Sequence, residues 1–312
     1  MKRTAITFGE PNGISFEITI KALNFLDLPA DKIILITNND ILAYYKENLG
    51  LSLEKDYKII EVPFNIKSIN WGKETEDGGE FSFQALKTAC ILAQEGQIDS
   101  IVTAPVSKNA MKMAGHNYSG QTEVLEQYLA NNNQKAEMIF ICEKFSVMLM
   151  TRHIAINQVN KFIKKNILVD RIEKLVLSMK RQLNFSSPSI AVCALNPHAG
   201  ENGMFGDEEI KEIIPAIKEL QSKGINISGP FPADALFTKC SIDECQYDCY
   251  IAMYHDQGLI PVKLLSRDNS VNTTIGLNIL RTSPAHGTAY DIAGKNIANP
   301  SSMIEAIKLA IH

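Results

Sequence analysis

Short apolar runs alternate along the chain with longer segments whose apolar residues recur at helical spacing. The runs at 5–8, 33–37, 57–62, 99–103, 190–195 and 250–254 have the length of buried strands. Helical spacing or a helix-start signal marks residues 15–26, 40–48, 80–94, 121–129, 169–183, 206–223 and 301–311. This alternation predicts an α/β fold with a mostly parallel sheet.

The remaining segments add detail to this pattern. Residues 138–142 and 145–150 predict a β-hairpin that turns at Glu143 and Lys144, and 225–228 predicts a short strand followed by a helical turn at 232–237. Two further strands are predicted at 259–265 and 271–275, and loops at 71–79 and 285–300. Because the chain has no internal repeat and no low-complexity linker, any two-lobed division must be one in which the chain leaves a lobe and returns to it.

Composition narrows the class of protein. The 312 residues are 45% hydrophobic and 21% charged, with a net charge of −4, which disfavours a nucleic-acid binder. No apolar run reaches the roughly 18 residues of a membrane span, and no signal-peptide core follows Lys2 and Arg3, so a cytoplasmic protein is expected. Cys240, Cys245 and Cys249 are spaced too widely for a CxxC zinc site.

Three of the six histidines follow strand-like runs closely. His153 comes after 146–150, His198 after 190–195 and His255 after 250–254. Open α/β sheets bind their ligands at the carboxyl ends of strands, so these side chains are candidate ligands of one divalent metal. The alternative is three unrelated histidines, since scattered histidines lack the spacing of a motif such as HExxH.

Four other stretches carry candidate binding groups. The turn at 9–13 and the segment Gly120, Gln121, Thr122 and Glu123 each precede a helix and could seat an anion, although a plain connector and a plain helix cap are the simpler interpretations. A basic and amide set could bind a carboxylate or phosphate, or could be solvated surface: Lys263, Asn272 and Arg281. The loop 285–300 is long enough to be functional, and its Asp291 could accept from ribose hydroxyls, but it could also be a covering loop.

Several ordered blocks resemble a known family. The loop blocks His286-Gly287-Thr288-Ala289, Asp291 to Lys295 and Ile297 to Pro300 resemble the adenosine-binding loop of isocitrate and isopropylmalate dehydrogenases. The rest resembles their relatives, the 4-hydroxythreonine-4-phosphate dehydrogenases of pyridoxal phosphate biosynthesis. The blocks that carry this second resemblance are 103–108, 195–201, 229–234, 252–258 and 280–283.

This resemblance implies an isocitrate-dehydrogenase-like fold of two α/β/α lobes with a cleft between them. The nucleotide-binding lobe would comprise residues 1–118 and 270–312, and a metal, substrate and dimerisation lobe 119–269. The family is a homodimer whose metal is held by two histidines of one subunit and one of the other. His153, His198 and His255 match those ligands, and the metal would be zinc, or alternatively magnesium or cobalt.

The resemblance also assigns the substrate and cofactor contacts. Gln121, Thr122, Lys263, Asn272 and Arg281 match substrate contacts. The cofactor NAD, or NADP, would be held by His286, Gly287, Thr288, Ala289, Asp291 and Asn299. Asp291 favours NAD because its carboxylate would repel a 2′-phosphate.

The implied reaction is oxidation of 4-phosphooxy-L-threonine at C3, followed by decarboxylation, with Lys108 or Asp234 as the base. The chain departs from the family at Gln121, where the family usually has histidine, and at Glu10, Asn12, Ser15 and Phe16 in the first loop. Two alternatives therefore stay open: a dehydrogenase of a related phosphorylated sugar acid, and a non-catalytic small-molecule sensor. The expected partners are this small phosphorylated hydroxy acid and a second copy of the chain, with neither nucleic acid nor membrane.

Overall fold

The computed structural model describes residues 2–131, 134–242, 245–266 and 269–312. The chain forms two compact units, Met1–Ala136 with Val271–His312, and Glu137–Ser270. The expected lobes differ from these units at residues 119–136, which lie in the first unit. The helix in that segment buries Val124 and Leu125 in the core of the first unit. The nucleotide-binding and substrate-binding roles of the lobes stay predictions.

In the part of the chain that the structure describes, the first unit contains six strands of one sheet. They are β1 (Thr4–Thr7), β2 (Ile33–Thr37), β3 (Lys58–Glu61), β4 (Ser100–Thr103), β10 (Val271–Ile275) and β11 (Leu280–Pro284). Their order is β3-β2-β1-β4-β11-β10. All neighbours are parallel except β10, which pairs antiparallel with β11.

Within the described ranges, six α-helices belong to the first unit. They are α1 (Ser15–Leu26), α2 (Asn39–Leu49), α3 (Glu76–Gln94), α4 (Lys108–Met113), α5 (Gln121–Leu129) and α11 (Ser301–Ile311). The strands β1, β2 and β4 are buried at every position, as expected for a parallel sheet covered by helices. An aromatic group at the centre of the core stacks Phe16 on Tyr45 and places Phe8 and Phe81 beside Phe16.

The second unit has five strands, β5 (Glu137–Ile141), β6 (Ser146–Leu149), β7 (Ile190–Cys193), β8 (Ile227–Phe231) and β9 (Cys249–Ala252). Their order is β5-β6-β9-β7-β8, parallel throughout except for the β5–β6 hairpin. Its helices are α6 (Val159–Phe162), α7 (Lys165–Gln182), α8 (Ile214–Ser222), α9 (Ala233–Ile242) and α10 (His255–Ser266). A π-helical turn, Glu209–Ile213, leads into α8.

The predicted α/β class, the mostly parallel pairing and the hairpin are confirmed. One segment was predicted wrongly: residues 259–265 belong to α10 rather than to a strand. Ile260 and Leu264 are exposed while Leu259 and Val262 are buried, so apolar residues lie on both faces of this helix and conceal its period. The sequence also did not predict α4 or β11. No helix in the described ranges is long and apolar enough to cross a bilayer.

Candidate active site

Two of the three predicted metal ligands lie together at the ends of neighbouring strands. β6 and β9 run parallel with Leu149 level with Ala252, and each strand is followed within four residues by a histidine. The ring centroids of His153 and His255 are 5.8 Å apart. Both residues line a cavity of about 390 Å³ that also includes Arg152 and Tyr254. The parallel pairing thus produces the pair that the strand-end pattern predicts.

Asp256 orients one ring of this pair. Its Oδ1 lies 2.7 Å from Nδ1 of His255. A carboxylate on one ring nitrogen holds an imidazole in the tautomer that offers the other nitrogen to a metal. The donor set therefore fits a transition metal in ligand type, since it offers two imidazoles of which one is already oriented.

His198 lies in an unusual turn after β7. The residues of the turn Pro197–Gly203 include a run of positive φ angles, 51° at His198, 55° at Ala199 and 43° at Glu201. Non-glycine residues rarely adopt this conformation, and such strain tends to occur at functional sites. The His198 ring lies 6.3 Å from that of Phe205. Within the described ranges, no three His, Cys, Asp or Glu side chains group as a metal site. Of the expected ligands, the structure places His153 beside His255.

Glu209 holds the start of this turn, and the sequence did not predict that role. The side chain is 1% exposed. Its Oε1 accepts from the backbone N–H groups of Leu195 and Asn196, each at 2.8 Å, and its Oε2 accepts from Asn196 Nδ2 at 2.9 Å. A glutamate next to other acidic residues gives no sign in the sequence that it will be buried against the backbone.

The second unit also contains Asp234 and Lys263. Asp234 lies in the first turn of α9 and lines a cavity of about 420 Å³ with Tyr254, Asp256 and Gln257. Asp256 is the residue that contacts His255, so the candidate base shares a cavity with a partner of the candidate ligand. Lys263 lies on the last turns of α10 and is exposed.

Arg281 is the buried cation of the first unit. It is 3% exposed, its Nε donates to Thr103 Oγ1 at 2.8 Å, and a terminal nitrogen donates to Thr274 Oγ1 at 3.3 Å. Burial lowers the pKa of the guanidinium to about 9, while the nearby Glu123 carboxylate raises it, so the group stays charged at neutral pH. Across the described ranges it forms no ion pair. A buried cation with hydroxyl partners is suited to receive an anion.

Asn272 is on the same face of the sheet as Arg281. Arg281 is directly opposite Thr274 in the β10–β11 pair, and Asn272 is two residues from Thr274, so all three side chains share a face. Asn272 Oδ1 is buried and has no hydrogen-bond partner among the described residues. Two of the predicted substrate contacts therefore lie together here.

Gln121 and Thr122 begin α5, close to the same strand end. Gln121 Nε2 donates to the carbonyl of Ala104, which directly follows Thr103, at 3.2 Å. Its Oε1 is buried and has no partner in the described structure. Thr122 is 5% exposed in the first turn. The end of β4 thus anchors both Arg281 and Gln121.

Lys108 is the first residue of α4 and is exposed. A Cβ built on Gly120 would be 3.9 Å from Lys108 Nζ and 3.1 Å from Glu123 Oε2, so Lys108 lies beside the start of α5. Lys108 therefore shares a neighbourhood with Gln121, whereas Asp234 shares one with His255. The two candidate bases lie in different units, and the geometry within each unit does not choose between them.

The predicted adenosine loop docks on the first turn of the chain. Ile14 N–H donates to the Thr288 carbonyl at 2.9 Å, and a Cβ on Gly13 would be 2.6 Å from that oxygen, so only glycine fits there. His286 and Asp291 are exposed, Ala289 has a φ of 42°, and no atom lies within 4 Å of a Cβ built on Gly287. Asn299 accepts from Ser301 N–H at 3.0 Å at the start of α11.

Glu10 is a second candidate functional residue, and the sequence did not predict a role for it. It is fully buried, its Oε1 accepts from Asn12 N–H at 3.1 Å, and its Oε2 has no partner among the described residues. Burial raises the pKa of its carboxyl to about 7, although its hydrogen bonds with Asn12 lower it. The pKa of the nearby Tyr290 is also raised, by burial and by the charge of Glu10. Tyr290 belongs to the predicted adenosine loop, so Glu10 lies close to that loop.

Comparison with known proteins agrees with this geometry. The family model described as pyridoxal phosphate biosynthetic protein PdxA matches residues 8–310. A 4-hydroxythreonine-4-phosphate dehydrogenase of Sulfurihydrogenibium sp. (strain YO3AOP1) is 39% identical, over 100% of this chain and 98% of that protein. A D-threonate 4-phosphate dehydrogenase of Pectobacterium atrosepticum is 37% identical, over 99% of this chain and 98% of that protein.

A solved structure is similar over the whole chain. The crystal structure of 4-hydroxythreonine-4-phosphate dehydrogenase from Klebsiella pneumoniae matches with a TM-score of 0.87 at 34% identity, covering 100% of this chain and 99% of that one. The relatives named here are dehydrogenases, which are oxidoreductases, and they match this chain along its full length. The chain therefore belongs to the PdxA family of pyridoxal phosphate biosynthetic proteins.

Proposed function

We propose that this chain oxidises 4-phosphooxy-L-threonine at C3 with NAD or NADP and then decarboxylates the product to 3-amino-2-oxopropyl phosphate. Membership of a dehydrogenase family implies a nicotinamide cofactor. The observation that carries the proposal is the combination of two neighbouring histidines, one of which is oriented by a carboxylate, with a buried cation that forms no ion pair in the described part of the same chain. A phosphorylated hydroxy acid requires both a group that binds its hydroxyl and a group that binds its anionic ends.

His153, His255 and the partner subunit's His198 would hold a divalent metal, in a homodimer whose sites are shared. When bound, such an ion acts as a Lewis acid that lowers the pKa of a ligated hydroxyl. The distance of 5.8 Å between the ring centroids of His153 and His255 supports a site to which one chain supplies these two ligands. Zinc, cobalt and magnesium are the candidates, and imidazole ligands favour the first two.

The side chains of this protein would divide the remaining work. Arg281, Thr122 and Lys263 would bind the carboxylate and phosphate, and Asn272 would use its unpaired Oδ1 to accept from a substrate donor. Lys108 or Asp234 would take the proton of the C3 hydroxyl as a hydride leaves C3 for the nicotinamide. Breaking the C–C bond to the carboxylate then releases CO₂, and the carbon that held it takes up a proton.

The loop 285–300 would hold the adenosine part of the cofactor. The contact of Thr288 with Ile14 fixes the loop on the β1–α1 turn, while Asp291 stays exposed for ribose hydroxyls. His286, Gly287, Ala289 and Asn299 complete the proposed set. An acidic group at this position disfavours a 2′-phosphate, so we propose NAD over NADP.

The test is reduction of NAD with 4-phosphooxy-L-threonine, measured by the absorbance of the reduced nicotinamide with and without a chelator. We expect turnover that the chelator abolishes and that zinc or cobalt restores. Turnover that survives complete metal removal would contradict the metal role, and absence of turnover in metal-loaded protein would contradict the substrate. We propose a cytoplasmic location for this reaction, which needs neither membrane nor nucleic acid.

D-threonate 4-phosphate is the second candidate substrate. It is favoured by a relative with that name. Gln121 stands where the resemblance implies histidine, and its amide cannot carry a charge, but both candidate substrates have a phosphate, so this residue does not choose between them. The same assay run in parallel with both substrates decides between them by the ratio of kcat/KM.

A further inference from the structure

Two of the six cysteines are bonded to each other. Cys240, near the C-terminal end of α9, forms a disulfide with Cys245, which comes four residues before the start of β9. The free cysteines of the described structure are all buried: Cys90, Cys142, Cys193 and Cys249. The sequence excluded a zinc knuckle at 240–249, and the structure pairs two of those three cysteines instead.

The disulfide fastens α9 over a group of aromatic side chains. Phe237, one turn before Cys240, stacks on Tyr250 of β9 with ring centroids 5.4 Å apart. Tyr247, two residues after Cys245, meets the same Tyr250 edge-on at 5.9 Å. The bond therefore links the two segments that carry these rings, and the packing of Tyr250 depends on both.

The same helix forms one wall of the cavity of about 420 Å³. Asp234, Phe237 and Thr238 line it from α9, and Gln257 and Ile260 line it from α10. Phe237 contributes both to this wall and to the ring stack on Tyr250. A change in how the end of α9 is held is thus transmitted by Phe237 to the cavity that contains Asp234.

The remaining thiols are chemically unlike this pair. Burial raises the pKa of the Cys142 thiol to about 11 and of the Cys90, Cys193 and Cys249 thiols to about 12. A thiol reacts as its thiolate, so these four react slowly in the folded protein. Cys245 is partly exposed whereas Cys240 is 6% exposed, so a solution thiol would attack the bond at Cys245 and release Cys240. Disulfides in reducing compartments are usually transient and act as redox sensors.

We propose that Cys240 and Cys245 form a reversible thiol–disulfide exchange site that controls the order of α9 and, through Phe237, the cavity containing Asp234. A dithiol reductant attacks the disulfide, its own two thiols become a disulfide, and Cys240 and Cys245 each take up a proton as thiols. The exchange itself does not depend on the proposed function. Only its effect on turnover rests on the proposed roles of Asp234 and the substrate.

Thiol counting on the folded, full-length protein tests the exchange. After oxidation with oxidised glutathione and removal of the reagent, we expect no rapidly reactive thiol with Ellman's reagent. After treatment with a dithiol and desalting, we expect two, and none in a Cys240→Ser, Cys245→Ser double variant. Two reactive thiols in the oxidised sample, or none after reduction, would overturn the proposal.

Tyrosine circular dichroism and turnover test the consequence. Reduction should weaken the near-ultraviolet tyrosine signal and lower kcat/KM by about 3- to 10-fold. The double variant should show both changes without treatment and should not respond to the dithiol. Cys142→Ala is the matched control, and it should respond to the dithiol as the parent does. A double variant with the signal and kcat/KM of the oxidised parent would overturn the control of α9. The optical change without turnover on either substrate would support the exchange site and contradict the proposed function alone.

Discussion

At the scale of single residues, the side-chain amide of Gln121 has a hydrogen-bond partner for its nitrogen but none, among the described residues, for its oxygen. Its amide nitrogen is bound to the Ala104 carbonyl, which can only accept, so the orientation of the amide is determined and its oxygen stays unpaired. A buried acceptor without a partner costs about 1–3 kcal/mol, which a donor on the substrate would recover. At the proposed substrate contact, this side chain would favour a substrate with a hydroxyl or ammonium group facing the amide oxygen.

Gln121→Met replaces the hydrogen-bond donor and the acceptor of this amide by an apolar side chain of nearly the same volume. We expect kcat/KM to fall by about 5- to 150-fold, the factor that corresponds to a loss of about 1–3 kcal/mol of hydrogen bonding. Gln94→Met is the control, because Gln94 also donates to a backbone carbonyl, that of Tyr128, but is exposed. Steady-state kinetics on both variants, with both candidate substrates, provide the measurement. Equal kinetics for the two variants would show that Gln121 does not contact the substrate.

Glu10 makes stability depend on pH. Its pKa in the folded protein, about 7, is higher than the ordinary glutamate value of 4.5, so the folded state binds this proton more tightly than the unfolded state. Stability is therefore unaffected below about pH 4.5, and it falls as pH rises through about 7. Glu10→Gln cannot ionise, so we expect it to be more stable than the parent at pH 8 by about 3 kcal/mol and close to it at pH 5.

Urea unfolding at the two pH values measures this difference. Glu54→Gln is the matched control, since Glu54 is exposed and its substitution should leave the pH dependence of the free energy of unfolding unchanged. If Glu10→Gln shows the same pH dependence as the parent, the buried carboxyl does not bind its proton as described. The family usually has aspartate at this position, so the longer side chain is a property of this chain.

At the scale of elements, the turn after β7 is held by a side chain from another element. Glu209, in the π-helical turn before α8, accepts hydrogen bonds from the backbone N–H groups of Leu195 and Asn196. We expect Glu209→Ala to lower the free energy of unfolding by about 3 kcal/mol, because it leaves buried donors unpaired. Glu209→Gln keeps one acceptor and should cost less.

The same substitution tests the link to His198. Zinc content after dialysis against a metal buffer should fall in Glu209→Ala, because the turn that carries His198 is no longer held. Lys211→Ala, on the exposed side of the same π-helical turn, is the control and should stay within about 0.5 kcal/mol of the parent. Unchanged stability in Glu209→Ala would show that the turn holds its shape without this carboxylate.

Regular elements could be predicted wherever one face is apolar and the other polar. Helix α1 was predicted over its full length from the turn at 9–13 and the helix-start signal at Ser15, whereas α10 was missed because Ile260 and Leu264 are apolar and exposed. The histidine pair was predictable because it depends only on strand ends in a parallel sheet. Glu209 and Glu10 were not, because burial of a carboxylate depends on contacts between segments far apart in the sequence.

At the scale of the whole molecule, the proposed metal site belongs to a dimer rather than to a chain. If one subunit supplies His153 and His255 and the other supplies His198, then a His198→Ala chain and a His255→Ala chain are each inactive alone. After subunit exchange at equal amounts, half of the dimers are mixed, and each mixed dimer has one intact site. We expect about a quarter of the parent's activity to return.

Turnover before and after exchange, with size-exclusion chromatography to confirm the dimer, provides the measurement. A mixture of His153→Ala with His255→Ala is the control, because both substitutions affect ligands from the same chain and no intact site can form. Recovery in the control, or none in the first mixture, would contradict a shared site. Far-ultraviolet circular dichroism of each variant verifies that the chains remain folded.

The pairing of β6 with β9 limits how this site can change. Adjacent strands are about 4.8 Å apart because backbone hydrogen bonds set that spacing, and His153 and His255 follow the ends of those strands by four and three residues. The sheet therefore sets the separation from which the two short connections to the proposed metal ligands begin, and substitutions outside the strands leave that separation unchanged. Mutations can adjust metal preference only through the third donor and the groups that orient the rings. Homologues that use different metals should accordingly differ around Asp256 and in the turn at 197–203, while the two strands keep their register.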